Sequence, residues 1–196
     1  MDFKKRISKI RLLIIDVDGT LTDGTLFVLP NGEEVKGFNV KDGTGMVMAR
    51  LAGIEIAVIT GKHSESIRKR IETIGIKEYY QGISNKLLIF NKLLKKYSLK
   101  KENCCYIGDD IGDIPPMKQS GFAASPSDSH EKVKEISHFI TESPGGKGAV
   151  REVIDLILNT QDKMDYAVKK FNQIKLVYIP IQSGHRFRFK PATDSD

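Results

Sequence analysis

Two aspartates, Asp16 and Asp18, stand just past an apolar run in Ile14-Ile15-Asp16-Val17-Asp18-Gly19-Thr20. Thr60 closes a second apolar run, Lys86 opens a helical pattern, and Gly108-Asp109-Asp110-Ile111-Gly112-Asp113 follows a third run. A hydroxyl, an ammonium and two carboxylate clusters in this order are the parts of a Mg2+-dependent phosphoryl-transfer site. Such transfer needs an in-line nucleophile, a proton for the leaving oxygen, and countercharge for the phosphoryl oxygens. Asp16 can attack phosphorus and form an aspartyl-phosphate, which splits one hard step into two easier ones. Asp18 can protonate the leaving alkoxide and then deprotonate the attacking water. Mg2+ prefers oxygen ligands in octahedral geometry, so Asp16, Asp109 and Asp18, the last through a main-chain carbonyl, form the candidate metal set. Lys86 supplies a point charge for Asp16 and a phosphoryl oxygen. Thr60 and the Gly61 N–H can bind the remaining oxygens. Asp113 is read as positioning Lys86 or a metal-bound water, and Asp110 as a cap for the following helix.

Taken singly, each motif also reads as a turn, a cap or a solvated charge. Their joint placement carries the argument. Leu12–Ile15, Ile54–Ile59 and Cys104–Ile107 read as buried parallel strands, short and bounded by turn signals. Helical patterns lie between them at Ser64–Ile74 and Asn85–Tyr97. Pro115 and Pro116 fall in the first turn of a helix running to Ser120. A strand at Gly121–Ala124, a helix near Ser129–Ile136, a strand at His138–Ile140 and a helix at Ala149–Leu158 follow. The alternation predicts an α/β fold, a doubly wound parallel sheet with its site at the strand carboxyl ends. Asp16, Thr60 and Asp109 all fall there.

Between Asp18 and Thr60 the pattern predicts a hairpin, Thr25–Leu29 and Glu34–Val40 around Asn31-Gly32. That gap is too short for a cap domain, since independent domains need roughly fifty residues or more. Residues 1–160 are expected to form the core domain, with residues 161–196 as an extension of unassigned role. In that extension Asp162–Lys175 reads as an amphipathic helix and Leu176–Ile181 as strand-like.

At 196 residues, 40% apolar and 29% charged, the chain suits one globular domain. The net charge of +6 suits an anionic small-molecule substrate. Zinc-ligand spacing and base-stacking aromatic-basic arrays are missing, which argues against nucleic acid. The adjacent Cys104 and Cys105 sit inside a strand pattern, as buried core in a reducing compartment. No stretch is long enough to span a membrane, so the expected location is the cytoplasm.

The set Asp16, Asp18, Thr60, Lys86 and Asp109 resembles the haloacid dehalogenase superfamily of phosphatases. Phe38-Asn39-Val40-Lys41-Asp42-Gly43, Gly82-Ile83-Ser84-Asn85-Lys86 and Gly145-Gly146-Lys147-Gly148-Ala149-Val150-Arg151-Glu152 resemble its branch acting on 3-deoxy-D-manno-octulosonate (KDO) 8-phosphate, of lipopolysaccharide precursor synthesis. The likeness runs from about Ile10 to about Leu158. It implies Mg2+ as cofactor, Asp16 as nucleophile, Asp18 as acid/base and Asp109 as metal ligand. It also implies that Asn39, Val40, Lys41, Asp42, Gly43, Lys62, Arg70 and Lys86 line the substrate site. The family forms tetramers in which hairpins assemble together and a C-terminal segment covers a neighbour's site. The glycine-rich segment at about 143–151 is read as that lid, acting in trans, with Lys147 and Arg151 as anion contacts. Two positions depart from the family pattern: Lys62 and Val47 stand where arginines are usual. Lysine lacks the bidentate fork that suits a carboxylate, which predicts weaker carboxylate recognition. A nine-carbon keto-acid 9-phosphate is the nearest competing substrate. A phosphomutase and a non-catalytic oligomerisation module are the competing functions.

Overall fold

The structure, a computed structural model, describes residues 2–177. A short helix α1 (Phe3–Ile7) leads into β1 (Leu12–Ile15), and a small hairpin of β2 (Phe27–Val28) and β3 (Glu34–Val35) follows. Then come α2 (Val40–Leu51), β4 (Glu55–Ile59), α3 (Glu65–Ile74), β5 (Glu78–Tyr80), α4 (Lys86–Lys96), β6 (Cys104–Ile107) and α5 (Ile114–Gln119). The chain continues through β7 (Phe122–Ser125), α6 (Glu131–Lys134), β8 (Phe139–Ile140), α7 (Ala149–Thr160) and α8 (Met164–Val177). The main sheet has six strands in the order β5-β4-β1-β6-β7-β8, every pairing parallel. The expected doubly wound parallel sheet is therefore present.

Strand alternation divides the core into two layers. Leu13, Ile15, Ile56, Val58, Cys105 and Ile107 face one cluster, with Met46, Ile71, Ile154 and Leu158 from α2, α3 and α7. Leu12, Ile14, Ala57, Ile59, Cys104 and Tyr106 face the other, with Phe90, Leu93 and Met117 from α4 and α5. Residues buried on both faces explain why these strands read as continuous apolar runs. Helix α7 shows the matching logic: Val150, Val153, Ile154, Ile157 and Leu158 form one buried stripe.

Several boundaries differ from the sequence reading. The second arm of the hairpin ends at Val35, and Asn39 caps α2 by accepting the Lys41 N–H at 2.8 Å. Helix α2 carries Gly43 and Gly45, each worth about 1 kcal/mol against a helix, so its helical pattern is weak. Tertiary packing supplies what propensity lacks, because Gly45 lies under the Arg151 side chain. The extension expected from residue 161 packs with the core as far as it is described. Ala167 of α8 is fully buried, and Phe171 packs on the same cluster. Leu176 and Val177 end α8 rather than beginning a strand; residues 178–181 of that expected strand lie outside the described residues.

The sheet order reverses direction at β1. From there the chain builds outward through β4 and β5, then returns to β6 on the other side. Ligands of open α/β sheets bind outside the strand carboxyl ends at such a switch point. Asp16 follows β1 and Asp109 follows β6, so both stand at that crevice.

Candidate active site

The backbone around Asp16 is fixed before its side chain is considered. Its N–H donates to the Ile107 carbonyl at 3.0 Å, extending the β1–β6 ladder by one residue. The chain then turns sharply: the Val17 carbonyl accepts the N–H groups of Thr20, Leu21 and Thr22. Gly19 sits at φ +84°, and a Cβ there would lie 2.0 Å from Asp109 Oδ2. Only glycine meets both demands.

Lys86, the first residue of α4, reaches across to the sheet. Its Nζ donates to Asp16 Oδ1 at 2.6 Å and to Asp113 Oδ1 at 2.7 Å. Asp113 is saturated by further donors. The Tyr106 hydroxyl donates to its Oδ1 at 2.8 Å, and the Asp109 and Asp110 N–H groups point at its Oδ2. Asp109 Oδ1 accepts the Thr20 hydroxyl at 3.0 Å. Oxygens of Asp16, Asp109 and Asp113 lie within 4.8 Å of one another. The cluster holds three carboxylates against one ammonium.

This crowding shows in the proton affinities. Burial, then the Asp113 charge, pushes the Asp16 carboxyl well above its ordinary range, although Lys86 pulls it down. Burial and Asp113 push Asp109 up to about 6. Burial opposes the charge of Lys86, but Asp16 and Asp113 outweigh it and its pKa is raised. The cluster is short of positive charge and offers only oxygens. Hard divalent cations with oxygen preference fit such a donor set, and Asp16 and Asp109 are its members with lone pairs to spare.

The Asp18 carboxylate is not part of this cluster. Its Oδ1 accepts Lys36 Nζ at 2.5 Å, and the Lys36 side chain is fully buried. The metal role expected of Asp18 rests on its main-chain carbonyl and not on this side chain. Thr60 is buried at the end of β4, where its Oγ1 accepts the Lys62 N–H at 3.3 Å. Among the described residues its hydroxyl hydrogen has no acceptor, so it can donate to a ligand. Gly61 and Lys62 are exposed beside it. Asp110 caps the turn after β6, accepting the Ile111 N–H at 2.8 Å.

The remaining expected substrate residues scatter. Asn39, Val40 and Lys41 form the start of α2, with Val40 and Lys41 exposed. Asp42 is buried, and its Oδ1 accepts the Arg151 N–H at 2.7 Å, tying α2 to the first turn of α7. Gly43 lies under the Arg70 guanidinium, whose Nε has no hydrogen-bond partner among the described residues. Arg151 pairs with Asp155 one turn along α7, and its stem covers Gly45. Asp42 and Arg151 thus join α2 to α7, a packing role beside the substrate contacts expected of them. Val47 lines a cavity of about 780 Å3 with Arg50, Glu55, Glu78 and Tyr97. Glu55 and Glu78 begin their strands, so Val47 stands at the opposite end of the sheet from Asp16.

The segment read as a lid packs on its own chain. A Cβ on Gly145 would sit 1.9 Å from the Gly19 carbonyl oxygen. The Gly146 N–H donates to the Thr20 carbonyl at 3.0 Å. Its glycines permit close backbone contact and brace the turn that carries Asp18. Lys147 is exposed and pairs with Asp23 at 3.3 Å.

Three contributors escaped the sequence reading. Tyr106 reads in sequence only as strand core, although alternation puts it on the α4 face. Thr20 follows the Asp-Gly pair closely enough to have been considered. Lys36 gave no signal beyond sharing a face with Glu34.

A haloacid dehalogenase-like hydrolase family model matches residues 32–121. The 3-deoxy-D-manno-octulosonate 8-phosphate phosphatase KdsC of Escherichia coli strain B is 45% identical over 166 residues, 85% of this chain and 88% of that protein. The crystal structure of the Yersinia pestis phosphatase of the same name superposes with a TM-score of 0.81 at 42% identity, covering 83% of this chain and 88% of that one. The Moraxella catarrhalis phosphatase, solved with magnesium, phosphate and KDO, gives 0.82 at 37% identity, covering 86% and 97%.

Proposed function

The chain belongs to the haloacid dehalogenase-like hydrolases, and on that premise we propose that it is a Mg2+-dependent phosphatase releasing phosphate from KDO 8-phosphate. The observation that carries this is the Lys86 bridge between Asp16 and Asp113 beside Asp109. It joins a nucleophile, a fixed cation and a hard-metal donor set at one point. The substrate assignment is supported by relatives at 45% identity over most of the chain.

Asp16 attacks phosphorus with its carboxylate. The P–O bond to the sugar breaks, and its electron pair goes to the leaving oxygen, which takes a proton from Asp18. Asp18 then takes a proton from water as that water attacks the aspartyl-phosphate and frees Asp16. Lys86, the Thr60 hydroxyl and the Gly61 N–H stabilise charge on the phosphoryl oxygens. Asp16, Asp109 and the Asp18 main-chain carbonyl would hold Mg2+, which would supply countercharge to the phosphoryl oxygens. Lys41, Lys62 and Arg70 are the side chains best suited to meet the sugar-acid carboxylate.

Water exclusion and assembly belong to the same reading. Phe27 and Val28 are 62% and 68% exposed, in a hairpin whose apolar side chains have no covering layer within the described residues. Exposed apolar patches of this kind mark interaction sites, and a homotetramer joined through its hairpins would cover them. Among the described residues no helix is long and apolar enough to cross a membrane, which accords with a cytoplasmic enzyme. The test is a phosphate-release screen of KDO 8-phosphate, a nine-carbon keto-acid 9-phosphate and hexose phosphates with Mg2+. KDO 8-phosphate should give the highest kcat/KM, and Asp16→Asn should abolish turnover while the fold persists. Preference for a hexose phosphate would reject the substrate assignment.

A further inference from the structure

The hairpin is built inside out. Its apolar residues Leu26, Phe27, Val28, Leu29 and Val35 are exposed, while Lys36 is buried. Lys36 is the one buried residue between Asp23 and Phe38. Burying an ammonium is costly unless it is paired and hydrogen-bonded. Here the partner is Asp18 Oδ1 at 2.5 Å, with Glu34 more distant at 4.0 Å. A surface anchor for a two-residue ladder would need no buried charge. An apolar side chain at position 36 would hold the hairpin as well.

We infer that Lys36 is a positioning residue for Asp18, and that the hairpin is the device that delivers it to the acid/base. This rests on the reading of Asp18 given above. Lys36 engages one carboxylate oxygen, so Oδ2 is the oxygen left to exchange a proton with the leaving group and then with water. Without the ammonium, the half-exposed Asp18 side chain gains rotamer freedom and its geometry is lost. The hairpin thereby earns a catalytic purpose separate from its exposed apolar face.

Leaving groups separate this from a merely structural role. Nitrophenolate departs as a stable anion without a proton, whereas a sugar alkoxide needs one. A badly placed Asp18 should therefore slow attack on an alkyl phosphate but not on nitrophenyl phosphate. With nitrophenyl phosphate it should slow only the later hydrolysis of the aspartyl-phosphate.

The experiment uses the full chain with Mg2+, comparing wild type, Lys36→Met, Lys36→Arg and Asp18→Asn. The substrates are the sugar phosphate that wild type turns over fastest and p-nitrophenyl phosphate. Lys36→Met should lose about 100-fold in kcat on the sugar phosphate, within the range attributed to positioned acid–base groups. Its first-turnover release of nitrophenolate should change by less than about threefold, now as a burst ahead of a slow steady state. Lys36→Arg should recover at least about tenfold of the sugar-phosphate loss by restoring the charge. Equal slowing of both first turnovers, or no slowing of either, overturns the inference. If Asp18→Asn keeps wild-type turnover, the acid/base reading itself fails. If Asp18→Asn is impaired and Lys36→Met is not, only the role of Lys36 is removed.

Discussion

Lys86 Nζ sits 2.6 Å from Asp16 Oδ1 although 70 residues separate them in sequence, and the same ammonium holds Asp113 at 2.7 Å. Both carboxylates are almost fully buried, so this cation both supports the fold and serves the reaction. Lys86→Met removes the ammonium that joins these two buried acids. Breaking such a pair should destabilise the metal-free protein by about 3 kcal/mol, read by urea unfolding. It should also lower kcat by about 100-fold or more, through lost stabilisation of phosphoryl charge. A stable variant with normal kcat would place the phosphate-binding cation elsewhere.

Asp109 gives a pH signature. Its carboxyl lies at about 6 in the folded protein against an ordinary 3.8, so between those values the folded metal-free protein holds a proton that the unfolded chain has lost. Its contribution to stability is complete below 3.8 and disappears as pH rises through about 6. Mg2+ must compete with that proton. The rise in Tm on adding Mg2+ should therefore be small near about pH 5 and larger near about pH 7.5. In Asp109→Asn the metal-free protein should lose this pH dependence, and the Mg2+ effect should shrink at both values. An undiminished response in Asp109→Asn would exclude it as a ligand.

Gly145 and Lys147 separate a brace from a lid. Gly145→Ala drives a Cβ into the Gly19 carbonyl, and overpacking of this kind costs about 1–3 kcal/mol. It should lower kcat by about tenfold or more, because displacement of reacting groups is expensive and Gly19 adjoins Asp18. Lys147 is exposed and its pair with Asp23 lies at the surface. Surface pairs of this kind are screened by solvent and contribute little, so Lys147→Ala should leave KM within about threefold. A much larger rise in KM for Lys147→Ala would restore the anion-contact role expected from the sequence.

Phe27 tests the assembly. Phe27→Asp puts a charge on the exposed apolar face of the hairpin and should lower the solution mass measured by light scattering. Lys36 lies on the buried side of the same hairpin, so Lys36→Arg should leave the mass unchanged. An unchanged mass in Phe27→Asp would move the contact to another surface.

The parts of this protein that were legible in sequence are those where local chemistry and tertiary role coincide. Leu12–Ile15 and Cys104–Ile107 are apolar because both sheet faces are covered, and the acids that follow them, Asp16 and Asp109, meet in the carboxylate cluster beside Lys86. Residues with a hidden tertiary role did not show it in sequence. Asp42, expected at the substrate, also accepts the Arg151 N–H and so ties α2 to α7. Helix α2 was obscured by glycines whose value lies in contact with Arg70 and Arg151. The strand β5 is three residues of Glu-Tyr-Tyr at the sheet edge, too short and polar to show a pattern. Lys36 could not be found at all, since a lysine in a hairpin reads as solvent-facing until the fold buries it.

The central claim is that Asp16 becomes covalently phosphorylated. Borohydride reduces an acyl-phosphate to an alcohol, so quenching the Mg2+ enzyme during turnover of nitrophenyl phosphate should convert residue 16 to homoserine, detectable by peptide mass spectrometry. The yield should rise in Asp18→Asn, where the second step lacks its base. Phosphate release with residue 16 unchanged, or reduction at a different carboxylate, would contradict the account.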